Sequence, residues 1–202
     1  MHTASQQPSV AGPQPHRRYG PIQVWLAPYA RGQRGETFAS GILAATLDGS
    51  TPRIERDARG RPQLGGEHVR FDINWSHSGE LLLLALGEAV EVGVDVEFLR
   101  PRPRAMELAQ RFFHPDETAR LLALPEAAQA PAFVRLWCAK EAVLKAHGHG
   151  ISFGLEKLVL AERDGTLQLV ACDPALGQPA DWHLHEWEPQ AGYRAVLAWR
   201  RR

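Results

Sequence analysis

The chain has 202 residues, enough for one domain or for two small lobes sharing a core, and with 44% of them hydrophobic it is not compositionally disordered. Lys plus Arg equals Asp plus Glu at 23 each, so no basic field points to nucleic acid; the nine histidines are the groups that would shift this balance as pH falls. The two cysteines, Cys138 and Cys172, sit in apolar stretches without disulfide or zinc spacing, which suits a reducing cytoplasm, and the longest apolar run (residues 81–86) is far too short to span a bilayer.

Residues 1–18 lack the apolar centre of a signal peptide and are expected to form a mobile tail. In chain order, residues 21–28 (PIQVWLAP) read as a first strand, and residues 36–47 carry helical apolar spacing that stops at the Asp48-Gly49 turn signal. Residues 53–56 alternate briefly before Arg59-Gly60-Arg61-Pro62 interrupts the chain. Phe71, Ile73, Trp75 and His77 alternate with Asp72, Asn74, Ser76 and Ser78, the pattern of a half-buried strand, which Gly79 ends. Residues 81–86 suit a central strand. Residues 91–98 then alternate, with Val92, Val94 and Val96 on one side and Gly93, Asp95 and Glu97 on the other. The basic, proline-stiffened stretch 100–104 (RPRPR) is followed by a helix over residues 106–113. A second helix runs from His114 to about Leu124, with Pro115 near its first position and two acids in the turn where the helix dipole favours them. Pro131 is expected to open a central helix that stops at the Gly148 and Gly150 turn. Beyond it, residues 155–162 and 166–172 flank Asp164-Gly165, a hairpin signal, and residues 182–187 and 193–199 read as two more strands. No repeat period is visible.

The charges that need explaining lie in residues 133–152 (FVRLWCAKEAVLKAHGHGIS). A helix apolar on almost every face is packed in on most sides, yet Lys140, Glu141 and Lys145 lie inside it. Glu141 and Lys145 are one turn apart and face the same way, and long charged side chains are rarely buried without partners. An exposed i,i+4 ion pair is the ordinary reading of such a spacing; the apolar surroundings favour a functional one. Asp95 and Glu97 stand about 6.7 Å apart along one strand face. On a solvated edge that is commonplace, but in a core it is costly unless a cation sits between them. Gly93 on the same face would let a ligand approach. Glu141 as a third carboxylate would complete an oxygen-rich site of the kind Mg²⁺ occupies together with phosphates and water, and Lys145 would stabilise charge on a phosphate oxygen. Asn74, Ser76, His77 and Ser78 beside Gly79 read as a phosphate-binding strand end. His147 and His149 lack a helical ligand spacing and are set aside. The RPRPR stretch reads equally as a solvated connection and as a contact for an anion or acidic partner. There is no P-loop and no G-x-S-x-G elbow.

Several segments, in order, resemble the 4′-phosphopantetheinyl transferase family in its monomeric, surfactin-synthetase-activating form. Residues 93–97 (GVDVE) resemble the family's G-[IV]-D-[IV]-E, residues 137–145 (WCAKEAVLK) its W-x-x-K-E-[AS]-x-x-K, and residues 148–151 (GHGI) the G-x-G-[LI] that follows. Upstream, residues 74–78 (NWSHS) resemble N-x-S-H-S and residues 60–62 (GRP) resemble G-[KR]-P. The resemblance implies an α+β fold of two similar lobes with antiparallel sheets and packed helices, related by a pseudo-twofold axis. The N-terminal lobe would be residues 19–90 and the C-terminal lobe, carrying the metal site, residues 91–202, with coenzyme A in the cleft between them.

It also implies a monomeric, cytoplasmic, Mg²⁺-dependent enzyme. Such an enzyme moves the 4′-phosphopantetheine arm of coenzyme A to a serine of an acyl or peptidyl carrier protein of fatty-acid, polyketide or nonribosomal-peptide synthesis, releasing 3′,5′-ADP. Nucleic acid and membrane are not expected partners. Carried over by motif, Asp95, Glu97 and Glu141 would hold the metal, and Glu141 would also be the base for the serine. Lys145 would serve the leaving phosphate, and Arg61, Ser76 and His77 would grip the coenzyme A phosphates. The family's early-helix arginine falls by spacing on Thr37, which makes Arg34, nearly one turn away, the candidate for that contact. Trp75 replaces a smaller aliphatic residue. Two other readings remain on the residues themselves: a non-catalytic binder of coenzyme A or carrier proteins, and a metal-dependent hydrolase of the coenzyme A diphosphate.

Overall fold

The structure, a computed structural model, describes residues 14–49 and 52–202. It is α+β, with antiparallel sheets and packed helices. A four-stranded antiparallel sheet has the order β1-β2-β6-β5, built from β1 (Arg17–Tyr19), β2 (Ile22–Pro28), β5 (Phe71–Ser78) and β6 (Leu81–Glu88). Between β2 and β5 lie α1 (Gly35–Thr46) and the small β3 (Ile54–Arg56) and β4 (Pro62–Leu64) ribbon. A three-stranded antiparallel sheet, order β10-β11-β7, combines β7 (Val90–Phe98) with β10 (His183–Trp187) and β11 (Tyr193–Arg201). Between β7 and β10 come α2 (Ala105–Phe112), α3 (Pro115–Leu122), α4 (Glu126–His147) and the β8 (Leu158–Arg163) and β9 (Thr166–Cys172) hairpin.

The apolar patterns decide the layers. In β6, Leu81, Leu83 and Ala85 join Ile22 and Val24 against Val92, Val94, Val96 and Leu197 of the second sheet, while Leu82, Leu84 and Leu86 face Ala39, Ile42 and Leu43 of α1. A strand buried on both faces needs an unbroken apolar run, and that is what residues 81–86 supply. On β11, Ala195 and Leu197 face the first sheet while Val196 and Ala198 face the core formed by α4, α2, α3 and the β8–β9 hairpin. The sequence is therefore helix, sheet, sheet, helix. Helix α4 is packed on almost every side, with ten of its residues buried. Among the described residues no helix is long and apolar enough to cross a membrane.

Some expected boundaries move. The tail expected over residues 1–18 lies mostly outside the described residues, and its last two, Arg17 and Arg18, pair with Val24 and Gln23 in β1. Helix α4 starts at Glu126, so Pro131 stands inside it rather than at its start. The extra turn is Ala-rich, and Gln129 Nε2 donates to the Leu124 and Leu122 carbonyls at 3.1 and 3.4 Å, fastening it to the end of α3. The strand expected from residue 155 begins at Leu158, after a 3₁₀ turn at Leu155–Lys157. At the Asp164-Gly165 hairpin both residues have positive φ, 52° and 77°, the conformation that two-residue turns demand.

Candidate active site

Strands β5 and β7 run alongside each other in the same direction and are joined by side chains rather than by carbonyls. Asp72 Oδ2, Asn74 Oδ1, Ser76 Oγ and Ser78 Oγ accept from the backbone N–H of Val92, Val94, Val96 and Phe98 at 2.7, 3.0, 3.4 and 3.0 Å. Polar residues at every second position of β5 thus satisfy the edge of β7, whose amides would otherwise be buried and unpaired. The N-x-S-H-S segment is this seam. The signal for it was the alternation itself, in which Asp72 belongs with Asn74, Ser76 and Ser78.

On the other face of β7, α4 lies so close at Gly93 that a Cβ there would stand 2.1 Å from Ala142 O and 2.4 Å from Ala146 N. The space expected for a ligand holds the helix backbone instead. Gly93 works by letting α4 sit down beside Asp95 and Glu97, which brings Glu141 and Lys145 to them. The result is a cleft of about 340 Å³ lined by Ser76, His77, Asp95, Glu97, Glu141 and Lys145, with Trp75 and Trp137 as its aromatic walls. Lys145 Nζ donates to Asp95 Oδ1 at 2.7 Å, to Ser76 Oγ at 2.9 Å and to the Val94 carbonyl at 3.3 Å, and Ser76 Oγ donates to Asp95 Oδ1 at 2.9 Å. Gly148 ends α4 in the left-handed conformation, φ 88°, with its N–H on the Leu144 carbonyl at 3.0 Å.

The charges in this cleft strain against one another. Burial, then the charge of Asp95, pushes Glu141 up to about 7, with Lys145 opposing and Glu97 adding to the rise. Burial, then Asp95, likewise raises Glu97, against Arg102. Burial works against the Lys145 ammonium, but Asp95 and Glu141 outweigh it and hold its pKa above the ordinary lysine value. Cys138, fully buried in α4, is pushed well up by burial and then by Asp95, which makes it an inert thiol.

Asp95, Glu97 and Glu141 have the donor chemistry of a hard divalent cation. Asp95 Oδ2 is buried and has no hydrogen-bond partner, an orphaned anionic oxygen of the sort a cation satisfies. The three carboxylates do not yet form a cage, since among the described residues no three His, Cys, Asp or Glu side chains stand together as a metal-holding group. Glu97 is engaged by Arg102, whose Nη2 lies 2.5 Å from its Oε2. The residues fit a divalent cation once their side chains converge on it.

The remaining expected residues are more dispersed. Arg61 lies in a neighbouring cavity of about 200 Å³, together with Arg59, Asn74, Trp75, Lys145 and His149. Its guanidinium is anchored on Asp72 Oδ2 at 2.5 Å and on the Lys145 carbonyl at 3.1 Å. His77 is exposed and stacks on Tyr29 with ring centroids 4.0 Å apart. Arg34 is the exposed N-cap residue of α1 and lines a separate cavity of about 430 Å³ with Tyr29, Thr37 and Phe38, so it does not share the carboxylate cleft. Two larger grooves of about 750 Å³ each lie elsewhere, one beside Tyr29 and Glu80 and one beside Arg102 and Glu126. Neither brings more than one carboxylate to its lining. Reading the sequence missed three participants: Asp72 beneath Arg61, Arg102 on Glu97, and the partner of Lys140. That partner is Glu117, at 2.6 Å with both side chains fully buried.

A model of the 4′-phosphopantetheinyl transferase superfamily matches residues 91–198, the stretch that carries Asp95, Glu97, Glu141 and Lys145. The 4′-phosphopantetheinyl transferase HetI of Nostoc sp. is 35% identical over 175 residues, covering 82% of this chain and 70% of that protein. The 4′-phosphopantetheinyl transferase Sfp of Bacillus subtilis is 30% identical over 167 residues, covering 81% and 70%. A solved structure, the holo-[acyl-carrier-protein] synthase of Thermotoga maritima, aligns with a TM-score of 0.44 at 18% identity, covering 55% of this chain and 63% of that one.

Proposed function

The chain belongs to the 4′-phosphopantetheinyl transferase superfamily, and from that premise we propose that it moves the phosphopantetheine arm of coenzyme A onto a carrier-protein serine with the help of a divalent cation, releasing 3′,5′-ADP. The observation that carries this reading is the meeting of Asp95, Glu97, Glu141, Lys145 and Ser76 in one cleft, from three separate elements. Asp95, Glu97 and Glu141 would hold the cation, magnesium in this proposal. When bound it supplies charge neutralisation for the diphosphate, which is most of what phosphoryl transfer requires.

The chain's own side chains do the rest. Glu141, facing Asp95 and Lys145 across the cleft, is the carboxylate that would take the proton of an incoming serine hydroxyl, directly or through a water. The serine oxygen–phosphorus bond forms as the diphosphate bridge breaks, and the departing phosphate oxygen of 3′,5′-ADP is met by the Lys145 ammonium. Asp95 and Ser76 hold Lys145 Nζ at the cleft floor and fix where that ammonium stands. His77, exposed on the cleft rim and backed by Tyr29, is placed to meet a phosphate of coenzyme A; Arg61 faces the adjoining cavity.

The test is incubation of the purified protein with coenzyme A, Mg²⁺ and a panel of apo-carrier proteins, followed by mass spectrometry of the carriers. The expected outcome is a mass increase of one phosphopantetheine on at least one carrier, lost when the acceptor serine is changed to Ala. Release of free phosphopantetheine without a carrier would identify a hydrolase instead. Coenzyme A binding with no product of either kind would identify a binding module.

A further inference from the structure

The reaction above gives the RPRPR stretch no task, and Arg102 is the member of it that reaches a cleft carboxylate, Glu97. Its Nη2 lies 2.5 Å from Glu97 Oε2, and the two side chains are only 21% and 17% exposed. Pro101 and Pro103 restrict the backbone on either side of it. Ser78 Oγ adds only a long contact to the same Glu97 oxygen, at 3.5 Å, so the charge-assisted bond from Arg102 dominates. Asp95 is held in the same way by Lys145 at 2.7 Å. Two of the three carboxylates thus already have an internal cation, one supplied by the helix and one by the loop. That division explains why the trio does not stand as a preassembled metal-holding group.

We infer that Arg102 is a positioning residue that holds Glu97 on the loop, so that a divalent cation drawing Glu97 toward Asp95 and Glu141 has to break the Arg102–Glu97 ion pair. Cation affinity is then set in part by Arg102, and cation loading frees the loop. The buried Arg102 Nε, which has no partner, marks a guanidinium only half satisfied where it stands. The inference rests on the transferase reading only in taking the three carboxylates as cation ligands.

The experiment titrates Mg²⁺ and Mn²⁺ by calorimetry into the full chain and its Arg102→Ala, Arg102→Gln and Arg102→Lys variants, without coenzyme A or carrier. Both neutral variants are expected to bind the cation about fivefold more tightly, the loss of one partly buried ion pair from the reference state. Lys, which keeps the charge but loses the planar fork, is expected between them and the native chain. Hydrogen exchange at the Leu99 and Ala105 amides, bonded to the Gly192 and Arg102 carbonyls at the two ends of the loop, is expected to rise in the native chain on saturation with Mg²⁺. In Arg102→Ala it is expected to be high already and indifferent to the cation. Gln keeps the apolar part of the stem and serves if the Ala variant melts early. Intact cation binding with an affinity unchanged or weakened in both neutral variants overturns the inference alone and leaves the transferase reading standing, as does a native loop whose exchange ignores the cation. No cation binding to the native chain overturns both the inference and the cation requirement, while the carrier mass shift separately decides the transfer activity.

Discussion

Glu141 is 8% exposed, on a helix face turned toward two other carboxylates, and the burial that would serve it as a base in the proposed transfer also makes it a burden on the fold. Its folded pKa is about 7 against an ordinary 4.5. The unfolded chain therefore gives up this proton at a pH where the folded chain still holds it. For a carboxyl raised on folding, stability is lost as pH rises through the window from 4.5 to about 7 and stays lost above it. The full difference corresponds to about 3 kcal/mol. Glu141→Gln is expected to abolish transfer while raising the melting temperature at pH 8 by about 6–12 °C, and to bring little gain at pH 4.5, where both side chains are neutral. Differential scanning calorimetry at the two pH values is the check. A Gln variant no more stable at pH 8 than the native chain would show that Glu141 is already compensated. Lys145 offsets only part of the rise, because burial and Asp95 act against it and its hydrogen bonds go to Asp95 and Ser76.

Helix α4 carries two opposed lysines, Lys145 lining the cleft and Lys140 paired with Glu117 in the interior. Lys140 points away from the cleft. Its Nζ meets Glu117 Oε2 at 2.6 Å and the Leu155 carbonyl at 2.8 Å, donates also to the Leu158 carbonyl, and lies 5.0 Å from the centre of the Phe113 ring. Glu117 in turn accepts from Leu160 N at 2.8 Å and from its own N-cap, His114 N, at 3.3 Å. One buried pair thereby fixes α3, α4 and the start of β8 to one another, and with them the rotation of α4 that presents Glu141. Lys140→Met is expected to destabilise the protein by about 3–5 kcal/mol, because it leaves Glu117 charged in an apolar site. Adding Glu117→Leu should return much of that loss, as seen in denaturant midpoints; a double variant as unstable as the single one would refute the pairing. In the sequence, Lys140 was legible only as a charge in an apolar cylinder. Its partner lies in the preceding helix, whose acids looked like ordinary dipole-favoured residues. The strands were legible because β5 and β7 alternate along their length and β6 runs apolar over residues 81–86. The true start of α4 was not, because a proline normally marks a helix start, and what extends this helix is a tertiary bond from Gln129. Arg102 was equally hidden, since no local pattern says which arginine of three will fold back onto Glu97.

At the scale of the whole molecule, the cleft lies on a seam between two sheets. Ser76 and His77 come from the first sheet, whereas Asp95 and Glu97 come from the second, with α4 over it. The superfamily match, residues 91–198, covers α4 and most of the second sheet and leaves the first sheet outside it, so the cleft draws on both sides of that boundary. What couples them is the ladder of side-chain oxygens, and Asp72 is its charged member. Its Oδ2 accepts from Val92 N at 2.7 Å and from Arg61 at 2.5 Å, and Arg202 near the C-terminus stands 3.7 Å from its Oδ1. Removing it would strand a buried amide and a guanidinium that is 11% exposed. Asp72→Ala is accordingly expected to cost about 3–5 kcal/mol. Asp72→Asn, which keeps an oxygen for Val92 but loses the charge facing Arg61, should cost less, about 1–3 kcal/mol. The two variants separate the seam from the pocket. In Asp72→Ala, hydrogen exchange at Val92, Val94 and Val96 should rise together, since the strands part as a unit. In Asp72→Asn those amides should stay protected while the KM for coenzyme A rises, because only Arg61 has been released. If the Asn variant loosens β7 as much as the Ala variant does, the ion pair to Arg61 holds the sheets together rather than the ladder, and the cleft depends on that single charge.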